Sequence, residues 1–247
     1  PGTGDAACLD ILVSSQGKII ALYDDFSLVE ADHAGDVVRY PLPVSKDEFI
    51  TQICEDRRQH IWIGTSHGIL LFDLNQKKFI SGSTTLRALQ DEFVHSIFCD
   101  HQGILWLGVR QPFGLYRYDP GVNKLQKLEN ETLRHLSTVS EFGRISGMAE
   151  DEQYRIWMWS TVGGGMVRYD VQKNEWKHFP DQESRNIVFA NKGINSVYPQ
   201  NDSTVWISTT VGDGLIRFNP ENGNVIQLNL EEGLLSDYLF QIGYDQD

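Results

Sequence analysis

The chain has 247 residues, with 21 Lys and Arg against 34 Asp and Glu, a formal charge of −13 at neutral pH. That balance opposes binding to a phosphate backbone or an anionic lipid surface, so no nucleic acid and no direct membrane contact is expected. Hydrophobic residues make up 40% and aromatics 11%, which suits a packed core and not a disordered chain.

Pro1 to Ala7 lacks the basic and apolar regions of an export signal, so the N-terminus does not report the compartment. The first predicted unit, residues 9–45, places Gln16-Gly17-Lys18-Ile19-Ile20 where later units carry a turn and a tryptophan. The second, 46–90, shows the pattern in full. Phe49 to Cys54 reads as a strand, Asp56 to Gln59 as a turn, and Ile61 to Thr65 as a second strand. Ile69 to Asp73 reads as a third, Asn75 to Lys78 as a turn, and the region around Phe79 as a fourth.

Units 91–138, 139–190 and 191–235 repeat it. Trp62, Trp106, Trp157 and Trp206 are flanked alike by aliphatic residues, and Asp56, Asp100, Asp151 and Gln200 stand six positions earlier. Gly68, Gly114, Gly165 and Gly214 each open an apolar stretch that ends in Phe72-Asp73, Tyr118-Asp119, Tyr169-Asp170 or Phe218-Asn219. Residues 236–247 repeat only the innermost strand of a further unit.

A four-stranded unit of about 45 residues repeated in series predicts an all-β protein, a β-propeller of four-stranded blades. Five blades and one extra strand do not close neatly, and closure is what removes sheet edges. Residues 1–247 therefore read as a single, partial propeller, an arc of one with six to eight blades. The aromatic and Trp positions, with Tyr118, Tyr169 and Phe218, are expected between blades. Cys8, Cys54 and Cys99 are odd in number and form no C-x-x-C pair, so they are expected to be buried small hydrophobes, outside any disulfide framework or zinc site.

The pattern Asp-x(5)-Trp-aliphatic-Gly-Thr followed by Gly-Leu-x-Arg-Tyr-Asp resembles the two-component regulator propeller repeat. The resemblance implies the periplasmic sensor region of a Bacteroidota hybrid two-component receptor. Such a region recognises an oligosaccharide or other small ligand, acts through the rest of the same receptor chain on a histidine kinase, and is often a homodimer. It implies no catalysis in this region and no cofactor. The chain departs from the repeat at Ile20, Gln200, Trp159 and Ser208.

With strands a to d in order, the a-to-b and c-to-d turns share one face of each blade, and the b-to-c and d-to-a loops share the other. The second face is elaborated: from Trp to the following glycine is 6 residues in the second unit and 8 in the next three. Function concentrates in variable loops on a rigid scaffold. Sugars are held by aromatic stacking and bidentate or amide hydrogen bonds, so the ligand candidates are Arg110, Gln111, Phe113, Arg144, Trp159, Arg185, Asn186, Asn191 and Asp213. Trp159 shares a strand face with Trp157, so blade packing is its plainer role, and Arg110 has surface pairing with a carboxylate as its own.

Rival chemistry is thinly signalled. Gly64-Thr65-Ser66-His67-Gly68 matches a nucleophile elbow, but a strand and not a helix is predicted after the serine. Gly163-Gly164-Gly165 reads as a flexible loop, and no metal-binding histidine spacing occurs. A propeller enzyme of the lyase or lactonase type and a protein-binding scaffold are the alternatives. The acidic balance favours a neutral or cationic ligand.

Overall fold

The computed structural model describes residues 6–110, 113–136, 144–179, 189 and 192–243. They form five four-stranded antiparallel sheets, each with its strands in chain order, the propeller blades expected from the repeat. Blade 1 holds β1 (Cys8–Val13), β2 (Ile19–Tyr23), β3 (Ser27–Ala31) and β4 (Val37–Pro41). Blade 2 holds β5 (Ile50–Glu55), β6 (His60–Thr65), β7 (Gly68–Asp73) and β8 (Lys78–Ile80). Blade 3 holds β9 (Val94–Cys99), β10 (Leu105–Val109), β11 (Gly114–Asp119) and β12 (Lys124–Leu128). Blade 4 holds β13 (Gly147–Glu150), β14 (Ile156–Trp159), β15 (Met166–Asp170) and β16 (Glu175–Phe179). Blade 5 holds β17 (Ile194–Asn201), β18 (Thr204–Thr209), β19 (Leu215–Phe218) and β20 (Val225–Leu228).

The chain divides into two compact units, Pro1–Pro112 with Tyr116–Lys127, and Phe113–Leu115 with Leu128–Asp247. In the first, β1 packs beside β5 and β5 beside β9; in the second, β13 packs beside β17. First strands are therefore neighbours, and side chains lace them together. Ile53 N–H donates to Asp10 Oδ2 at 2.9 Å, Ile97 N–H to Gln52 Oε1 at 3.3 Å, and Ile242 N–H to Ser196 Oγ at 3.2 Å. Burial raises the Asp10 carboxyl above its ordinary range, with the Ile53 and Ile11 N–H bonds acting in the opposite sense.

Each blade is tied internally by the acid six residues before its tryptophan. Asp56 Oδ1 accepts the N–H groups of Arg58 and His60, closing the a-to-b turn, while Oδ2 accepts Trp62 Nε1–H at 2.8 Å. Asp100 with Trp106 and Asp151 with Trp157 repeat this at 2.9 and 2.8 Å. Gln200 Oε1 serves Trp206 at 2.9 Å. The third residue after each acid turns to positive φ, at Gln59 (64°), Gly103 (81°) and Tyr154 (62°). The c-to-d turns use the same device, with Asp73, Asp119, Asp170 and Asn219 each accepting N–H groups two and three residues ahead.

The cores lie between blades. In the first unit Ile20, Leu22 and Leu28 of blade 1 meet Ile61, Ile63 and Phe72 of blade 2, and Trp62 meets Tyr118 edge-on at 6.0 Å between ring centres. In the second unit Trp157 stacks on Phe179, which meets Phe218 of blade 5. Trp62, Trp106 and Trp157 are buried as expected, but Trp206 is half-buried, because no aromatic of a following blade covers it among the described residues. Two expectations need correction. Cys54 and Cys99 form a disulfide between β5 and β9, with Cα atoms 5.8 Å apart, and Cys8 is exposed. The d-to-a links also contain short 3₁₀ segments, of which Thr84–Leu89 buries Leu86 and Leu89 in the core between blades 2 and 3.

Trp106→Ala is expected to lower unfolding stability by about 3–5 kcal/mol in urea denaturation. Gln200→Ala, beside a half-buried indole, is expected to cost less than about 1 kcal/mol. Blade 1 is joined to blade 2 by Glu30, which accepts from Lys18, Lys77 and Tyr40. Burial alone would raise the Glu30 carboxyl; the two ammonium groups and the phenol outweigh it and hold the carboxyl below the ordinary glutamate range. A depressed folded pKa stabilises above the unfolded value near 4.5 and the gain is lost as pH falls through the folded value. Glu30→Gln is therefore expected to flatten the acid limb of the Tm-against-pH curve below pH ~4.5; an unchanged limb would dismiss this linkage.

Candidate functional site

The face formed by the b-to-c and d-to-a loops carries most of the sequence candidates. Of these, Gln111, Arg185, Asn186 and Asn191 lie outside the described residues. The others fall in both units.

In the first unit, the first strands of blades 2 and 3 are entered through Phe49 and Phe93, at matching positions of the repeat. Their rings lie 6.3 Å apart and nearly parallel, 14° between planes, and Phe49 is 67% exposed. Arg110 N–H donates to the Phe93 carbonyl at 3.0 Å, which brings the Arg110 guanidinium over the Phe93 ring at 5.7 Å. His95 meets the same ring edge-on at 5.7 Å. The result is an aromatic shelf with a cation and an imidazole beside it, a combination able to stack on the apolar face of a sugar ring and hydrogen-bond its rim. Arg110 was a sequence candidate; Phe49 and Phe93 were missed. The signal was available in the repeated Asp-Glu-Phe of residues 47–49 and 91–93.

Next to the shelf, Ser66 Oγ accepts Phe49 N–H at 3.0 Å and lies 3.0 Å from His67 Nδ1. The serine sits in a tight loop between β6 and β7, so the elbow geometry of a strand followed by a helix is not present.

In the second unit, Arg144 donates through Nε and Nη2 to Thr161 Oγ1, at 3.3 and 2.9 Å. Thr161 is in the b-to-c loop of blade 4, and its carbonyl passes so close to Gly193 that a Cβ there would stand 1.9 Å from the oxygen. Lys192 beside that glycine pairs with Asp213 at 2.5 Å, and Thr209 Oγ1 donates to the same carboxylate. Arg144, Thr161, Lys192 and Asp213 thus form a polar row. Phe113 is half-buried at the start of β11. The glycine run takes φ of 107°, 92° and 73° at Gly163, Gly164 and Gly165, and His178 Nε2 closes on the Gly164 carbonyl at 2.6 Å. Only glycine adopts three such conformations in succession without strain.

Trp159 is 7% exposed, lies in the core of the second unit and donates to the Asn195 carbonyl at 3.3 Å. It occupies the place of Gly64 and Gly108 in blades 2 and 3. Its cross-strand partner is Gly147, where a Cβ would stand 2.2 Å from the indole ring, whereas Gly108 faces Ser96. Large and small residues have exchanged strands. Among the described residues no group of three or more His, Cys, Asp or Glu side chains lies close enough to hold a metal ion. No helix among them is long and apolar enough to cross a membrane.

The family model for the two component regulator propeller matches residues 45–67 and 88–111. Among solved structures, the chain is similar to an inactive virginiamycin B lyase from Staphylococcus aureus bound to quinupristin. Identity is 14% and the TM-score 0.70, over 93% of this chain and 72% of that one. It is also similar to the extracellular domain of a putative hybrid two component system from B. thetaiotaomicron, at 18% identity and a TM-score of 0.69, over 94% of this chain. A further extracellular domain from that organism, of a putative one component system, matches at 20% and 0.63 over 92%. The chain spans 30% and 31% of the length of those two domains. No curated protein matches its sequence.

Gly147→Ser is expected to cost at least about 2 kcal/mol, because the indole of Trp159 has no room to retreat within its core. Adding Trp159→Gly, which recreates the blade 3 pairing, is expected to recover part of that loss in the same denaturation experiment. Additive losses would show that the two residues do not compensate one another.

Proposed function

We propose that this chain is a ligand-binding module of an extracytoplasmic, periplasmic signalling receptor, and that the ligand is an oligosaccharide taken up on the loop face. The observation that carries this reading is the Phe49–Phe93 shelf with Arg110 over it. An exposed ring held parallel to a second aromatic leaves one π-face open for a sugar ring to stack on. The two-component regulator repeats and the likeness to receptor extracellular domains support the signalling role. A sensor performs no chemistry on its ligand. Binding would bias the receptor between two arrangements, by no more than the difference in affinity for them, and a histidine kinase elsewhere in the receptor would read the bias. The Arg144–Thr161 and Lys192–Asp213 pairs, together with Gln111, Arg185, Asn186 and Asn191, are further candidates for contact with the sugar. A homodimer of the receptor is part of the same reading.

The fold likeness to virginiamycin B lyase supports one rival reading, a lyase acting on its ligand. The two are separated by titrating the complete receptor ectodomain containing this chain with neutral plant and host oligosaccharides by calorimetry and recovering the sugar. Saturable binding with the sugar intact is expected, weakened about tenfold or more by Phe49→Ala while Tm changes little. Turnover of the sugar would favour the lyase, and unchanged affinity in Phe49→Ala would remove the shelf from the site.

A further inference from the structure

The opposite face, formed by the a-to-b and c-to-d turns, carries an unbalanced cluster of positive charge. Several cations of this acidic chain are paired: Lys18 and Lys77 with Glu30, Arg39 with Asp25, Arg155 with Asp151 and Asp202, Lys173 with Asp170, Lys192 with Asp213. Arg57, Arg58, Arg117 and Lys124 make no ion pair among the described residues. All four line two adjoining clefts in the first unit. One, of about 170 Å³, runs between the blade 2 turn at Asp56, Arg57 and Arg58 and the blade 3 turns at Gln102-Gly103 and Asp119 to Gly121. The other, of about 220 Å³, is lined by Arg117, Lys124 and Gln126, and the two clefts share Asp119.

The two carboxylates present both accept hydrogen bonds from their own turns. Asp56 closes its turn and holds Trp62, and Asp119 Oδ1 accepts the N–H groups of Gly121 and Val122. Two of the four cations lie against neighbouring residues. The aliphatic stem of Arg57 lies across Gly103 of the neighbouring blade, where a Cβ would stand 3.4 Å from its Cγ and Cδ. Arg117 stacks on Trp106, its Cζ 5.9 Å from the ring centre, and its Nε is buried with no hydrogen-bond partner among the described residues. A buried donor left unpaired is costly unless something completes it. Arg117 is the arginine of the repeat, stacked on its tryptophan as Arg168 is on Trp157, but the fold does not ask for Arg57 and Arg58: the same turn reads Ser15-Gln16 in blade 1, His101-Gln102 in blade 3 and Glu152-Gln153 in blade 4.

We propose that this double cleft binds a small oxyanion, a sulfate or carboxylate group, between Arg57 and Arg58 on one side of Asp119 and Arg117 and Lys124 on the other. Guanidinium groups offer forked donors that match two oxygens of such a group, and four cations against two engaged carboxylates leave a local excess for it to neutralise. The site is independent of the aromatic shelf and stands whether or not the chain binds a sugar there.

The test is calorimetric titration of the complete ectodomain at low ionic strength with three probes: sodium sulfate, N-acetylglucosamine 6-sulfate and unmodified N-acetylglucosamine. Saturable binding of a charged probe, and at least about tenfold weakening of it in the double variant Arg57→Gln/Arg58→Gln with any binding of the neutral sugar left unchanged, are expected. Binding of the sulfated sugar well above sulfate would place the anion on a saccharide; equal binding would make the free ion the ligand. The proposal is overturned if neither anion saturates, or if the double variant, folded by circular dichroism, binds as the parent does. Lys173→Gln, on blade 4, serves as the control for a cation removed outside the clefts and should leave binding unchanged.

Discussion

In four of the five blades, one hydrogen bond from an indole N–H to an oxygen six residues earlier joins the turn to the core. A tryptophan offers the largest apolar surface available for the seam between blades, but its N–H must find an acceptor once buried. Asp56, Asp100 and Asp151 supply it with one carboxylate oxygen and spend the other on the turn that leads into the tryptophan's own strand. Turn closure and core placement are thereby made a single event. Blade 1 shows the coupling by its loss. Where Ile20 replaces tryptophan no acceptor is needed, and the turn is closed by a neutral Ser14 hydroxyl that accepts Lys18 N–H. Blade 5 stands between, with an amide facing a half-buried indole.

The same coupling divides labour between the two faces. Turns that must present an acid to the core and a positive φ three residues later have little freedom in length, which is why the a-to-b turns are nearly uniform. The b-to-c and d-to-a loops carry no such duty. They lengthen, acquire 3₁₀ segments and, in blade 4, take up a glycine run closed by His178. Only positions inside the uniform turns that neither cap nor twist are free on the other face, and Arg57 and Arg58 occupy two of them.

The repeat, the strand order and the inter-blade aromatics were legible in the sequence because each is periodic, and a period is visible without coordinates. The disulfide was not. Cys54 and Cys99 are separated by 45 residues where their tryptophans are separated by 44, so they occupy different registers, and only the packing of β5 beside β9 brings them together. Phe49 and Phe93 lay in a repeated Asp-Glu-Phe, but at a strand entrance where an aromatic reads as ordinary core until its exposure is known. Trp159 was the converse: it looked exceptional in sequence, and the structure accounts for it through Gly147, a residue whose significance is that it has no side chain.

That contrast bears on what the likeness to other propellers can carry. A blade fixes the acid, the twisted turn residue, the tryptophan, the glycine that opens the third strand, and the aromatic and cap that close it. The remaining positions need only alternate, so chains at 14% to 20% identity share the fold, and a lyase and a receptor domain resemble this chain equally well. Agreement with the repeat therefore says nothing about chemistry. Departures from it do so only when no packing partner explains them. Trp159 fails that criterion because Gly147 accounts for its bulk, whereas the arginines of the blade 2 turn meet it: the turn closes without them, no carboxylate among the described residues pairs with them, and a neighbouring glycine leaves room for one of them to lie across the seam.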